Sequence, residues 1–224
     1  MSVSQPSGSG PLTGLTLWLD LVLSARARVL VLAAGFLLPI ALFFPLWEIT
    51  MFAQMFPEGI RMSIFAHKLV GGNNGADLQG INILNHYIGM REIRAQDFPE
   101  MKFIPFALGL FFLLGLRTAV FGRVHQVVDS LVLFTYFGLF SLAAFYYRMH
   151  TFGHQLSPEA PIKVAPFTPP VFGHQHIANF DVYSYPGPGT YLLGAYALVL
   201  AGVLILETRR ESRGHIAQTR RVAA

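Results

Sequence analysis

The sequence predicts an α-helical integral membrane protein, in which four transmembrane helices carry a small mixed α/β external domain built from two long loops. Three observations predict this. Hydrophobic residues make up 53% of the 224 positions and charged residues only 12%, well under the roughly 25% charged share of an ordinary soluble domain. The apolar residues gather into four runs of about 20, the length at which a helix spans hydrocarbon. The Lys and Arg residues are shared unevenly among the segments that join those runs.

Each element follows in chain order. Residues 1–28 form an N-terminal tail. Its first ten residues are rich in Ser, Gly and Pro, read as disordered, and lack the positive start of a cleavable signal peptide. Leu15 to Ser24 is apolar apart from Asp20, so it either lies in the interface as a short helix or extends the first span. The first span is 29–47. Pro39 and Pro45 are expected to kink or end it, which membrane helices tolerate better than soluble ones.

The first external loop is 48–102. Ile49, Met51, Ala53 and Met55 alternate with polar residues, as do Ile60, Met62, Ile64 and Ala66, and Pro57-Glu58-Gly59 lies between the two runs. That is the pattern of a β-hairpin with one apolar face, turning at Pro57–Gly59. Gly71 to Gly75 is a loop without the Lys-Ser/Thr of a phosphate cradle. Asp77 lacks the regularly spaced carboxylates of a calcium loop. Ile81 to Ile93 predicts a short helix carrying Asn85, His86 and Met90.

The second span, 103–122, has Arg117 close enough to one end to snorkel, and the third is 126–147. In the second external loop, 148–189, Ala160 to Gly173 is proline rich and extended, and Ile177 to Tyr183 reads as a strand. Pro186-Gly187-Pro188-Gly189 then turns the chain back toward the fourth span, 190–206. A basic tail, 207–224, closes the chain.

Charge sets the expected orientation. Arg26, Arg28, Arg117, Arg123 and five arginines of the tail put nine positive charges on short segments. The two long loops hold seven, spread over far more chain. The positive-inside rule then places both termini in the cytoplasm and both loops outside, as in a multi-pass protein of a bacterial inner membrane. The basic tail reads as a topology anchor touching anionic lipid. Nucleic acid is excluded as a partner because no recognition motif accompanies the charge.

The chain has no cysteine, which excludes disulfides, thiolate metal sites, iron–sulfur clusters and c-type haem attachment. No Ser/His/Asp signature and no catalytic pair of acids is legible, so the expectation is a protein that is not an enzyme. Asp129 is the one acid read inside a span, and it is expected to form an interfacial ion pair with Arg123 or Arg117.

The histidines and methionines carry the functional signal. Six of eight histidines and six of seven methionines fall in the two external loops, the seventh methionine being the initiator. No histidine pair faces another inside the spans, which counts against a buried b-haem. Imidazole and thioether without thiolate suit copper better than zinc. His150 and His154 are four apart and share a face if the third span continues outward as a helix, and His86 and Met90 have the same spacing. His174 and His176 share a face if extended. The candidate metal ligands are therefore His86, Met90, His150, His154, His174 and His176. The competing plain reading is that methionines on the hairpin's inner face pack as adaptable gap fillers.

Several loop motifs occur in a fixed order: Phe43-Phe44-Pro45-Leu46-Trp47-Glu48-Ile49, Phe56-Pro57-Glu58-Gly59, Ile81-Asn82-Ile83-Leu84-Asn85-His86-Tyr87-Ile88-Gly89-Met90, and Ala160-Pro161-Ile162-Lys163-Val164 followed by Pro169-Pro170. In these motifs the chain resembles a family of small four-span membrane proteins associated with bacterial gene clusters for nitrous oxide reductase maturation and copper handling. The resemblance implies a copper-related accessory role in the cell envelope, with a periplasmic copper chaperone or cuproenzyme as partner. It reaches His86 and Met90 residue by residue, whereas His174 and His176 stand on their chemistry alone. The expected function is the binding or relay of copper at the periplasmic face for maturation of a cuproenzyme. The alternative is a non-catalytic structural subunit, packed against other membrane subunits of a redox or transport complex, that docks a periplasmic partner.

Overall fold

The computed structural model describes residues 11–222, with side chains described from 15 to 213. The disorder expected for Met1 to Gly10 lies outside the described residues.

The molecule has two parts, a helix bundle and a sheet domain at one end of it. A short helix, α1 (Pro11–Leu19), precedes α2 (Ala25–Gly35), whose N-cap is Ser24, with Oγ accepting from the Ala27 amide at 3.3 Å. A five-residue helix, α3 (Leu37–Ala41), follows at once. The long helices are α5 (Glu100–Phe121), α6 (Val124–His154) and α7 (Pro188–Val222).

Among the described residues three helices, not four, are long and apolar enough to cross a membrane: α5, α6 and the Pro188–Arg213 part of α7. The four-helix expectation is corrected at its first element. Residues 29–47 do not make one helix, because Pro39 has no amide hydrogen to donate to the Gly35 carbonyl four residues back and its ring crowds that carbonyl. The ladder breaks there, the flanking bonds from Phe36 to Leu32 and from Ile40 to Phe36 being long at 3.4 Å. The two short pieces pack along α5 and α7. Pro105 lies inside α5 without ending it: it withholds a donor from the Met101 carbonyl alone, one turn from the helix start at Glu100, and the ladder resumes beyond it, as membrane helices tolerate. Three apolar helices fit a multi-pass membrane protein.

The α5–α6 connection is tight. Gly122 ends α5 in the left-handed region at φ 64°, and a Cβ there would lie 2.3 Å from the Arg28 guanidinium. Leu23 donates to the Gly122 carbonyl at 2.7 Å and Val124 to Leu21 at 3.0 Å, so the chain before α2 is laced to this turn. Ser24 also meets Glu207 of α7, which places the start of α2 and this part of α7 at the same end. Val31, Leu38, Leu108, Val127, Phe134, Tyr196 and Leu200 form the bundle core.

At the opposite end lies a five-stranded antiparallel sheet in the order β3-β2-β1-β5-β4, made of β1 (Trp47–Ala53), β2 (Phe56–Ile64), β3 (Leu69–Gly71), β4 (Gly173–Ile177) and β5 (Phe180–Pro186). The expected hairpin is β1–β2, but its turn is Gln54-Met55. Pro57-Glu58-Gly59 lies inside β2, where Gly59 takes φ 80° against the Phe52 ring. The expected single strand at 177–183 is the hairpin β4–β5, with Ala178 at φ 51° between them. The two loops meet through the central β1–β5 pairing, which runs from Trp47 opposite Pro186 to Ala53 opposite Phe180.

Helix α4 (Ala76–Tyr87) starts before the expected Ile81 and ends well before Ile93, because Gly89 at φ 79° turns the chain away. It lays Ile81 and Leu84 on the inner face of the sheet, against Ile49, Met51, Ile60, Met62 and Val182, and Ile88 just beyond it joins them. Met101 and Phe152, from the ends of α5 and α6, join the same core, so these two helices belong to both parts of the molecule.

Candidate functional site

The sheet domain has two faces of different chemistry. Strand alternation turns Gln175 and Ile177 of β4 inward and His174 and His176 outward, across from Tyr183 and Asp181 of β5. The two imidazoles meet on one carboxylate oxygen: His174 Nε2 lies 2.9 Å and His176 Nδ1 3.0 Å from Asp181 Oδ1. The Tyr183 ring stacks on His174 with centroids 4.5 Å apart. Hydrogen bonding from His174, and then from His176, holds the Asp181 carboxyl below the usual carboxylate range. The trio is exposed, so each nitrogen can exchange its partner with solvent or a cation without unfolding the strands.

The other predicted ligands do not join this trio. His150 and His154 share the last turns of α6, which continues outward as a helix to that point. Their rings stack face to face, with centroids 3.8 Å apart and planes at 12°. Parallel rings direct their nitrogens side by side rather than at one point, and His154 Nδ1 is taken up by the His150 carbonyl at 2.9 Å. His86 and Met90 separate at the end of α4: His86 is exposed, whereas Met90 turns inward beyond Gly89. Among the described residues no three His, Cys, Asp or Glu side chains form a group that could hold a metal ion. His174, His176 and Asp181 are thus a hydrogen-bonded patch rather than a preformed cage.

The inner face holds a cavity of about 30 Å³ between sheet, α4 and the end of α6. Met51, Met62, Met90 and Met149 line it together with Asn85. The proline-rich stretch expected to be extended over Ala160 to Gly173 has no helix or strand up to residue 172, Gly173 opening β4, and the whole segment 156–172 closes the cavity with Phe167, Pro169 and Pro170. This strap is held by backbone bonds from Ser157 to Gly89 at 2.8 Å, from Ile162 to Tyr87 at 2.9 Å and from Phe167 to Gly153 at 3.1 Å. It has no hydrogen to spare at Gly153, where a Cβ would sit 1.9 Å from the Phe167 carbonyl oxygen.

Two acids stand differently from expectation. Asp129 is exposed and, among the described residues, makes no ion pair, while Arg123 faces Asp20 at 3.4 Å. Like Asp77 of α4, Glu207 is buried, 4% exposed, and it accepts from Ser24 Oγ, from the Ser24 amide at 3.1 Å and from Arg210 at 3.1 Å. Sequence reading missed it because it falls one residue past the apolar run. Its signal was Arg210 three residues on, on the same helical face.

No family model matches this chain, nor does any curated protein or any solved structure compared with it.

Proposed function

We propose that the protein is a membrane accessory protein that binds copper at the face carrying the sheet and passes it, by ligand exchange, to a cuproenzyme or its chaperone outside the cytoplasm. The observation that carries this reading is the meeting of His174 and His176 on the single Asp181 oxygen, at the exposed end of the molecule. Two imidazoles on alternate residues of a strand make a two-point ligand whose remaining positions stay open to a partner's side chains. Such a site binds weakly enough to release, as a relay requires. Exchange without a change of oxidation state needs no reductant and no bond making in the protein.

The gathering of His86, His150 and His154 at the same end supports the reading, as does the resemblance of the Leu84–Met90 stretch to the family tied to nitrous oxide reductase maturation. In this reading the sheet faces the periplasm of a bacterial inner membrane, and both the Ser24 end and the Arg-rich tail face the cytoplasm.

The test is calorimetric titration of the full chain in lipid nanodiscs with Cu(II), followed by electron paramagnetic resonance. One equivalent with nitrogen hyperfine structure is expected. His174→Ala/His176→Ala should lower the affinity at least tenfold, and equal affinity in that variant removes the reading.

A second reading, a structural subunit that docks a partner, has its own observation. The outer sheet face carries an aromatic row, with Phe52 edge-on to Tyr183 at 5.7 Å and Phe172 edge-on to Tyr185 at 5.5 Å. Aromatic side chains of this kind are enriched at interfaces. Native co-purification of a constant, metal-free partner would favour it.

A further inference from the structure

The methionines are sorted between the two cores. The bundle core contains none, being built of Leu, Val, Ala, Phe and Tyr. The sheet-domain core contains Met51, Met62 and Met101, with Met90 packed against it. Adaptable packing alone gives methionine no reason to favour one core over the other. Instead, four thioethers from four parts of the chain (β1, β2, the turn after α4, and the last turns of α6) surround one cavity.

Asn85 lies on the same wall. It is completely buried, and neither its amide nitrogen nor its amide oxygen has a partner. An unsatisfied buried polar group costs about 1–3 kcal/mol, so its place in a wall otherwise built from apolar side chains asks for a guest.

The cavity's size and chemistry narrow that guest. About 30 Å³ is room for a guest of one to a few atoms, since one water takes about 10–15 Å³ of such space, and is far below the roughly 300 Å³ of small organic ligand sites. A water needs about two to four polar partners, and the lining side chains offer one carboxamide. A divalent ion would enter without a carboxylate to offset its charge, and desolvation rises steeply with charge. A soft monovalent ion suits thioether ligands and needs the least compensation.

We propose that Met51, Met62, Met90 and Met149 form a buried thioether site for Cu(I), with the Asn85 carboxamide turned to the ion and the 156–172 strap as its outer wall. The ion enters as Cu(I) and leaves as Cu(I), so no electron is transferred. The site takes its metal from the copper reading above but uses none of the His174, His176 and Asp181 side chains that carry that reading, so the two can fail separately.

Ag(I), a redox-silent stand-in for Cu(I), is titrated into the full chain in nanodiscs with methionine methyl groups labelled with carbon-13. One equivalent should shift the Met51, Met62, Met90 and Met149 methyls and leave the exposed Met55 methyl in place. Met62→Leu/Met149→Leu, which conserves volume, should weaken Ag(I) binding at least tenfold, while His174→Ala/His176→Ala leaves it unchanged. Should the double leucine variant lose its fold, Met90→Leu at the half-buried position gives the same comparison. Unchanged affinity in the folded leucine variants, a shift at Met55 alone, or no shift among the four overturns the site. Loss of Cu(II) binding in the histidine variant with Ag(I) binding intact supports both sites as separate. Intact Cu(II) binding with no Ag(I) response sinks only the buried one.

Discussion

Asp181 accepts two imidazoles on one oxygen, and this fixes how the patch responds to acid. Its pKa is lowered, first by the bond from His174 and then by that from His176. A carboxylate held below its unfolded value contributes stability that is present above the unfolded pKa and is lost as pH falls through the folded one. The negative charge of the patch therefore survives into more acid solution than a free aspartate would allow. Carbon-13 titration of the Asp181 carboxyl should show a midpoint below the ordinary range, and His174→Ala/His176→Ala should return it upward. An unchanged midpoint in that variant would mean that the rings do not donate to it. This patch was half legible in the sequence. Alternation along an extended stretch places His174 and His176 on one face, but Asp181 joins them only through the β4–β5 register, and a short strand with a turn at Ala178 and Asn179 does not announce that register. The His86–Met90 pairing fails for a related reason, because a glycine at positive φ ends the helix between them.

Among the elements, the break between α2 and α3 is the most instructive. Composition reads 29–47 as one apolar run, and hydropathy is blind to a missing amide hydrogen. The expectation that Pro39 kinks or ends the span was sound, yet counting the run as a span ignored it. Pro39→Ala restores a donor to the Gly35 carbonyl, and an alanine gains roughly 3 kcal/mol of intrinsic preference over proline inside a helix. The expected outcome is one continuous helix from Ala25, seen as slow hydrogen exchange at the new residue 39 amide and bonds near 3.0 Å across residues 35–40. Fast exchange at that amide would show that the bend is imposed by α5 and α7 rather than by the proline. The three long helices were legible because nothing but length and apolarity decides them. Strands β1 and β2 came through by alternation, whereas β3 and β4 did not, and the β1–β2 turn was misplaced because Pro-Glu-Gly is tolerated in β2 by the bulge that Gly59 makes against Phe52.

For the whole molecule, the question is what keeps the two parts and the two chain ends in register. At the sheet end Arg148 of α6 pairs with Glu100 of α5 at 2.9 Å. At the other end Glu207 gathers Ser24 and Arg210. Glu207→Ala would leave the Ser24 hydroxyl and amide without their acceptor, a cost on the order of 1–3 kcal/mol. The thermal midpoint in nanodiscs should fall, and exchange at the first amides of α2 should quicken while the sheet domain stays protected. Equal midpoints with equal exchange would show that water replaces the carboxylate without loss. No pattern within one segment could reveal this clasp, because its partners are 183 positions apart.

The length of α6 has a mechanical meaning. Its 31 residues at about 1.5 Å each make a rod of roughly 46 Å, against a hydrocarbon thickness of about 30 Å. Some three turns of it therefore exceed a hydrocarbon layer of that thickness, and Met149 and the stacked rings of His150 and His154 lie in the turns at the sheet end. Because Met149 and Phe152 of those turns are packed into the sheet-domain core, any tilt of α6 carries the sheet domain with it.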